Sequence, residues 1–251
     1  MNKAVVLAER PNKKIYRDGD RVLKVFDKSF PKTNVLNEAL NQARVEETGL
    51  PIPRVLGVTV SEIGEWTIIQ DYIEGKTMAE LMAENPDDMD KYLEEFVDLQ
   101  LLVHSKTAPT RLNKMKEKMD ERIANFKELS ATVRYELRTR LDSMPKHKKV
   151  LHGDFNPSNV VLGKDGRYYI IDWAHATQGN ASADAAITYL LFTLQNPEIA
   201  EKYLKLFCDK SDTAKQYVQR WLPIIAAHRL TRGFPEEREI LEKWLDVVEY
   251  E

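Results

Sequence analysis

The stretch that decides the fold is VLHGDFNPSNVVLGKDGRYYIIDWAHA, Val150 to Ala176. Two apolar runs in it, Val160 to Leu162 and Tyr168 to Ile171, flank the turn sequence Lys164-Asp165-Gly166. A glycine-containing turn between two short runs of β-forming residues is typical of a hairpin. The pattern therefore predicts a short β-hairpin in the middle of an otherwise helical part of the chain.

Polar side chains stand at both ends of this predicted hairpin. Asn159 directly precedes it, Asp172 directly follows it, and Asp154 lies on the loop that leads into it. Because a hairpin brings its two ends together, we expect these three oxygen-bearing side chains to meet. Carboxylate and amide oxygens suit Mg²⁺, which shares its remaining positions with water and phosphates. The set predicts phosphoryl transfer, in which one carboxylate orients the attacking hydroxyl and the other groups hold the metal.

Strands dominate the pattern before residue 74. KIYRDGDRVLKVF, Lys14 to Phe26, places Asp18-Gly19 between two alternating segments, which predicts another hairpin. Further strands are predicted at Ala4 to Ala8, Val55 to Val60 and Trp66 to Tyr72. One helix is predicted over Thr33 to Thr48. Its apolar stripe consists of Val35, Leu36, Ala39, Leu40 and Ala43.

Helical periodicity dominates from residue 74 onward. Thr77 and Glu80 have the spacing of a capping box at the start of a helix. Later helices are predicted at Asp90 to His104, twice within 110–149, and at Ala185 to Gln195, Ile199 to Phe207, Thr213 to Leu230 with a kink at Pro223, and Glu236 to Tyr250. The predicted fold class is α+β with two lobes. Residues 1–73 form a small antiparallel-sheet lobe of five strands and one helix, and residues 74–251 form a larger helical lobe that contains the hairpin at 150–173.

Composition excludes several classes of protein. The 251 residues include 37 Lys and Arg against 40 Asp and Glu, a net charge of −3, so nucleic acid is not the expected partner. The single Cys208 excludes an internal disulfide framework, and no apolar run is long enough for a membrane span. A cytoplasmic protein without a membrane partner is expected. Segment 110–149 carries twelve basic and six acidic residues, and solvated amphipathic helices are the simplest interpretation.

HGDFNPSN followed by IIDW resembles the aminoglycoside phosphotransferase and choline kinase-like family, which has a bilobal protein-kinase-like fold. Weaker likenesses follow in the right order along nearly the whole chain. They are LPIPRVLGV at Leu50 to Val58, QDYIEGKTMAEL at Gln70 to Leu81, the helix end at His104-Ser105, and Asp184.

The resemblance implies roles for the residues of the hairpin region. Asp154 matches the catalytic aspartate of the family, and Asn159 and Asp172 match its two magnesium ligands. His152 is expected to hold the loop by hydrogen bonds, and Asp184 is expected to form an internal ion pair or cap.

The resemblance also implies a nucleotide site built from earlier residues. Lys24 matches the lysine that contacts the α- and β-phosphates, and Glu38 matches the acid that pairs with this lysine. The adenine is expected against the backbone of Asp71 and Ile73, with Gln70 lining the pocket.

The sequence departs from the kinase pattern at the phosphate loop. Kinases place glycines over the triphosphate, whereas ERPNKKIY, Glu9 to Tyr16, contains none. Lys13 and Lys14 are the candidates for a substitute charge. The short stretch between Asp172 and Asp184 has no APE-like segment, which disfavours a protein kinase.

The expected function is an ATP-dependent, Mg²⁺-assisted phosphotransferase that acts on a hydroxyl of a small molecule, aminoglycoside-, choline- or sugar-like. The alternatives are a nucleotide-binding pseudokinase or regulatory module, a protein kinase, and a nucleic-acid-binding protein that uses segment 110–149. The sequence leaves open whether ATP or GTP is the donor and what the oligomeric state is. The charge of the acceptor is open too, since the acidic C-terminal helix suits a polycation and segment 110–149 suits an anion.

Overall fold

The structure is a computed structural model and describes residues 5–245 of the chain. Cα packing divides these residues into two compact units. The sheet unit contains residues 5–89 and 157–176, and the helical unit contains residues 90–156 and 177–245. The lobe boundary predicted between residues 73 and 74 stays a prediction, because compact packing alone does not identify independently folding domains.

Five antiparallel strands form the main sheet of the sheet unit, in the order β1-β2-β3-β5-β4. They are β1 at Val5–Arg10, β2 at Lys13–Asp18, β3 at Arg21–Phe26, β4 at Val55–Val60 and β5 at Trp66–Asp71. The hairpin predicted at Asp18-Gly19 is confirmed: Asp18 pairs with Arg21, and Gly19 has the positive φ of 63° that favours glycine. In β3, Val22, Lys24 and Phe26 alternate onto the buried face of the sheet.

One helix, α1 at Lys32–Glu46, packs on this sheet. Its predicted apolar stripe is partly wrong, because Leu36, Leu40 and Ala43 are exposed. The buried face consists of Val35, Glu38, Ala39, Asn41, Gln42 and Val45. Polar residues can occupy a buried face when they have hydrogen-bonding partners, as these do, so the face that packs is not the most apolar one.

A second sheet of the sheet unit has three strands in the order β6-β8-β9. They are β6 at Gly75–Thr77, β8 at Val160–Gly163 and β9 at Tyr168–Ile170. The hairpin predicted from the central motif is therefore confirmed. Helix α2 at Met78–Glu84 follows β6, and its predicted capping box between Thr77 and Glu80 is present.

Eight helices are described in the helical unit, together with a short strand pair. The helices are α3 at Met89–Ser105, α4 at Met115–Asn125, α5 at Ala131–Ser143, α6 at Ala181–Gln195, α7 at Pro197–Ser211, α8 at Lys215–Gln219, α9 at Leu222–Leu230 and α10 at Arg238–Leu245. The paired strands are β7 at Lys149–Leu151 and β10 at Thr177–Gly179. Helix α9 is nearly all buried and packs on α4, α5, α6 and α10.

The chain between residues 213 and 230 differs from its prediction. A single helix kinked at Pro223 was expected, but α8 ends at Gln219 and a new helix begins at Leu222, with Pro223 in its first turn. Proline is favoured there because the first-turn N–H groups have no partner within the helix. The last predicted helix starts at Arg238 after a 3-10 turn at Pro235–Glu237, and its end at Tyr250 lies outside the described residues. No helix between residues 5 and 245 is long and apolar enough to cross a membrane.

The close approach of β6 to β8 generates a stability prediction. A Cβ on Gly75 would lie 2.0 Å from the backbone oxygen of Leu162, whereas a Cβ on Gly57 in β4 would meet nothing within 4 Å. We expect Gly75→Ala to lower the free energy of unfolding by about 2 kcal/mol or more, because backbone must move. Gly57→Ala is the matched control and should change it by less than about 1 kcal/mol. Urea denaturation measures both, and equal effects would contradict the described packing.

Candidate active site

The β8–β9 hairpin brings the two ends of the central motif together. Val160 pairs with Ile170, and the backbone N–H of Ile171 donates to the carbonyl of Asn159 at 2.9 Å. Asn159 ends a 3-10 turn at Pro157–Asn159 and is 9% exposed. Asn159 therefore lies opposite Ile171 in the ladder, one residue before Asp172.

Asp172 occupies an unusual backbone conformation. Its φ of 63° and ψ of 61° lie in the left-handed region, which costs about 1 to 2 kcal/mol for most residues and less for Asp and Asn. A 3-10 helix at Trp173–His175 follows at once. Trp173 is fully buried, and its indole N–H donates to the carbonyl of Ile170 at 2.9 Å. This anchored tryptophan holds the turn that carries Asp172.

A buried lysine joins Asp172 to helix α1. The Lys24 ammonium donates to Glu38 Oε1 at 2.7 Å and to Asp172 Oδ1 at 3.1 Å, and the lysine is only 4% exposed. Burial alone lowers the pKa of Lys24, but the charges of Asp172 and Glu38 outweigh burial and raise it above its ordinary value. Lys24 therefore stays charged at neutral pH.

Two further side chains of α1 fix the position of Glu38. The amide of Asn41 donates to the carbonyl of Ala174 at 3.1 Å, in the turn after Asp172. The amide of Gln42 donates to the carbonyl of Pro53 at 2.7 Å. Both bonds come from side chains on the buried face of α1. They fix the position of the helix, so that Glu38 lies beside Lys24.

The segment predicted to bind adenine has two unused polar groups. Gln70 is 4% exposed, and its Oε1 has no partner within the described chain. The backbone N–H of Ile73 likewise donates to no group among residues 5–245. By contrast, the Asp71 carboxylate binds the Arg54 guanidinium at 2.8 Å, and hydrogen bonding to Arg54 lowers the pKa of Asp71. The side chain of Asp71 is thus committed elsewhere, and its backbone N–H donates to the Arg54 carbonyl at 3.0 Å.

Lys13 and Lys14 point in different directions from β2. Lys13 Nζ lies 3.6 Å from Glu38 Oε2, and its side chain is 19% exposed. Lys14 is over half exposed and pairs with Glu9 at 2.8 Å. Successive residues of a strand face opposite sides of the sheet, so only Lys13 shares the side of Lys24. The turn between β1 and β2 carries Pro11-Asn12 and no glycine.

The loop that carries Asp154 belongs to the helical unit and is held by Asp184 of α6. Fully buried, Asp184 accepts hydrogen bonds from the N–H of His152 at 3.1 Å and of Gly153 at 2.8 Å, and it binds His104 Nε2 at 2.9 Å. Burial is the largest single effect and raises the pKa of Asp184, but the bond to His104, the charges of His104 and His152 and the bond from the Gly153 N–H together outweigh it and lower the pKa. Asp184 was expected to form an internal ion pair or cap, and its buried contacts with His104 and with two backbone N–H groups give it an internal structural role of that kind.

The remaining contacts of this loop are also structural. The N–H of Asp154 donates to His152 Nδ1 at 3.3 Å, which confirms that this histidine holds the loop. Phe155 is fully buried against Phe96, with ring centroids 4.6 Å apart. Its carbonyl accepts from the Thr188 hydroxyl at 2.9 Å. Backbone and neighbours are thus fixed on both sides of Asp154.

Sequence reasoning missed a group of basic residues in the helical unit. Arg232, in the turn after α9, interacts electrostatically with Asp154 and with Arg122 of α4. No motif includes Arg232. Arg122 lies in segment 110–149, for which the sequence predicts solvated amphipathic helices. The only signal in the sequence was the positive charge of that segment.

The donor set at the end of the hairpin fits Mg²⁺ by its chemistry. Asp172 supplies a carboxylate and Asn159 an amide oxygen, both hard ligands. Among residues 5–245, no three His, Cys, Asp or Glu side chains cluster as a metal site, so phosphate and water would have to supply the other ligands. Such sharing is the usual pattern for Mg²⁺ that binds with a nucleotide.

Comparisons with known proteins identify the family and the fold of the chain. The model of the phosphotransferase enzyme family matches residues 12–224. No curated protein matches the sequence. Among solved structures, the apo form of a thermostable mutant of aminoglycoside phosphotransferase APH(4)-Ia is 16% identical, with a TM-score of 0.72 over 98% of this chain and 93% of the other.

Two other solved structures extend the comparison. A ternary complex of such a thermostable mutant with ADP and hygromycin B is 14% identical, with a TM-score of 0.68 over 97% of this chain and 90% of the other. A choline/ethanolamine kinase family protein from Mesorhizobium loti is 18% identical, with a TM-score of 0.63 over 100% of this chain and 83% of the other. At these identities the likeness establishes the fold alone, and it confirms the predicted fold class. The match of the family model confirms the resemblance and the prediction of an enzyme: the chain belongs to the phosphotransferase enzyme family.

Proposed function

We propose that this protein is a kinase of small molecules that transfers the γ-phosphoryl group of ATP to a hydroxyl group, with Mg²⁺ as cofactor. The observation that carries the proposal is the buried Lys24 ammonium, held by Glu38 at 2.7 Å and by Asp172 at 3.1 Å. A protein with only a structural use for this site gains little from burying the charges of Lys24 and Glu38 beside the half-buried Asp172, because desolvation opposes their attraction. A nucleotide site needs a fixed cation beside a metal-binding carboxylate.

The sheet unit supplies the groups for the nucleotide. The unused Ile73 N–H and Gln70 Oε1 suit the edge of a purine. The Asp71 carbonyl would be the further backbone contact, since the Asp71 N–H donates to Arg54. Lys24 would bind the α- and β-phosphates, and Glu38 would keep it in place. Bound Mg²⁺ would be held by Asn159 and Asp172, and it would neutralise charge that develops on the phosphates.

The helical unit supplies Asp154, which matches the catalytic aspartate of the family by its place in HGDFNPSN. Asp154 would orient the acceptor hydroxyl and accept its proton as the bond to phosphorus forms. Because Asp184 and His152 hold the loop through its backbone, the Asp154 carboxylate needs no large rearrangement to be positioned. A cytoplasmic location and the lack of nucleic-acid and membrane partners stay predictions.

The relatives support the acceptor class without deciding it. One aminoglycoside phosphotransferase was solved with ADP and hygromycin B, and another similar structure belongs to the choline/ethanolamine kinase family. The direct test is a screen of aminoglycosides, amino alcohols, sugars and hydroxy acids with Mg²⁺ and either ATP or GTP. Release of ADP or GDP that depends on one acceptor, with a phosphate monoester in the ³¹P NMR spectrum, would establish the function. The absence of both nucleotide binding and transfer would refute it.

Asp154→Asn tests the catalytic role. We expect kcat to fall by about 10² to 10⁴, the usual contribution of a general base, while the Kd for Mg·ATP changes little. Steady-state kinetics and calorimetry measure the two quantities. Asp209→Asn, at an exposed carboxylate of α7, is the control and should retain activity. Full turnover by Asp154→Asn would reject the role. Slow ATP hydrolysis without acceptor, lost in the same variant, would exclude a pseudokinase.

Asp172→Asn tests the metal site without straining the backbone, because asparagine tolerates the left-handed conformation nearly as well as aspartate. The carboxylate charge is lost, so we expect the Kd for Mg·ATP to rise roughly tenfold or more. The Kd for ATP in excess EDTA should rise less. Calorimetric titrations with and without Mg²⁺ make the comparison, and identical losses in both would show that Asp172 does not act through a metal.

Lys13 offers a substitute for the missing glycine-rich loop, since it lies beside Glu38 on the side of Lys24. Lys13→Met should raise the KM for ATP roughly tenfold, the loss expected for one charge-assisted contact. Lys14→Met removes the neighbouring charge on the opposite side and should leave the KM unchanged. Equal effects of the two substitutions would assign Lys13 a general electrostatic role instead of a phosphate contact.

A further inference from the structure

Helices α4 and α9 of the helical unit place four basic residues together. Lys118 and Arg122 are four residues apart on α4, so they share one face of that helix. His228 lies near the end of α9, and Arg232 lies in the turn that follows. The backbone N–H of Arg232 donates to the Arg229 carbonyl at 2.9 Å. The two helices pack on each other, and the four side chains interact electrostatically. We call these four residues the cationic cluster.

The cationic cluster lacks neutralising partners. No carboxylate in the described part of the chain lies within 4.0 Å of the Lys118, Arg122 or Arg232 side chains, although all three are half-buried. Other arginines nearby do have carboxylate partners. Arg229 forms a bidentate ion pair with Glu237, and Arg138 of α5 pairs with Asp120. Buried cations normally have a partner, because desolvation without one is costly.

The charges of the cluster oppose one another. Burial and repulsion from Arg122 and Arg232 lower the pKa of Lys118 to about 8. Burial and repulsion from Arg229 and Arg122 lower the pKa of Arg232 to about 10, although Asp154 acts in the opposite direction. Burial and the surrounding cations lower the pKa of His228 to about 3. An anion among these groups would relieve the repulsion.

His228 gives a second, independent sign of a missing ligand. The histidine is 9% exposed, and its buried ring nitrogen Nδ1 has no hydrogen-bonding partner among residues 5–245. Most buried polar atoms are hydrogen-bonded, and an unsatisfied one destabilises the fold by about 1 to 3 kcal/mol. The neutral imidazole can donate one hydrogen bond to an anion.

The position of the cluster connects it with catalysis. Asp154 belongs to the same unit and is the carboxylate with the largest electrostatic effect on Arg232, ahead of Glu237. Beside the cluster, a cavity of about 450 Å³ opens between α4 and the turn after α9, lined by Glu121, Arg122, Asn125, Phe126 and Thr231. This volume is within the range of small-molecule sites.

We propose that the cationic cluster of Lys118, Arg122, His228 and Arg232 binds an anionic group, carboxylate or phosphate, of the acceptor whose hydroxyl Asp154 orients. The proposal rests on the proposed function and names its substrate class. It disfavours aminoglycosides and choline as acceptors, because both are cations.

Binding of inorganic phosphate and of acetate to the intact protein tests the cluster without any turnover. Calorimetric titration at low salt should show binding of at least one of the two, and added NaCl should weaken it. Arg122→Gln and Arg232→Gln should each weaken this binding at least tenfold, and Arg122→Lys should restore most of it. Arg138→Gln removes an exposed, paired arginine and should bind as the unmodified protein does. Absence of binding, or equal binding by all variants, would overturn the proposal.

Matched acceptors then identify the anion and separate the two proposals. Glycerol, glycerate, glycerol 3-phosphate and choline are compared as acceptors of the γ-phosphoryl group of ATP. Preference for glycerate over glycerol assigns the site to carboxylates, and preference for glycerol 3-phosphate assigns it to phosphate monoesters. In either case Lys118→Gln and Arg122→Gln should raise the KM for the acceptor at least tenfold. Transfer to choline or glycerol alone would refute the anionic acceptor and keep the kinase, whereas a protein that binds no nucleotide would refute the kinase itself.

Discussion

The Lys24 ammonium, shared by Glu38 and Asp172, is the interaction on which the sheet unit depends. It joins β3 and α1, which follow each other in the sequence, to the turn after β9, whose Asp172 lies 148 positions after Lys24. A buried ammonium without carboxylate partners would be strongly destabilising. The pairing of Lys24 with both carboxylates therefore fixes β3, α1 and the turn after β9 relative to one another. The same requirement explains why α1 presents Glu38, Asn41 and Gln42 to the sheet and leaves Leu36 and Leu40 exposed.

Each unit fixes its own part of the chemistry. The sheet unit contains Lys24, the two residues proposed as metal ligands, Asn159 and Asp172, and the unused polar groups at residues 70–73. The helical unit holds Asp154 by its backbone, since Asp184 binds the N–H groups of His152 and Gly153. Behind this loop, the Tyr203 hydroxyl donates to Gln100, and the Gln100 amide donates to Thr188 at 3.0 Å. Thr188 in turn donates to the carbonyl of Phe155, so a buried chain of hydrogen bonds rather than the loop itself determines the loop conformation.

Local signals predicted much of the fold and of the candidate site. The hairpins at Asp18-Gly19 and at residues 164–166 and the capping box at Thr77 depend on neighbouring residues, so the sequence alone reveals them. Features that depend on packing between distant elements could not be predicted from the sequence. The buried face of α1 is decided by partners on other elements, and the chain breaks near Trp221 instead of bending at Pro223. The cationic cluster combines one helix of segment 110–149 with residues more than a hundred positions later, and no local pattern marks such a meeting.

The left-handed backbone of Asp172 restricts how this site can change in evolution. Only glycine, asparagine and aspartate enter that conformation readily, and single-nucleotide substitutions connect the aspartate codons with codons for the other two. If Asp172 holds the metal as proposed, a duplicated copy of the gene that no longer needed phosphoryl transfer would therefore drift first to asparagine or glycine at this position. The turn would keep its backbone conformation after such a change and Lys24 would keep Glu38 as a partner, whereas valine or isoleucine would strain the turn that Trp173 anchors. Within a set of paralogues, the residue at this position would distinguish chains that have lost only catalytic activity from chains whose local structure is disrupted.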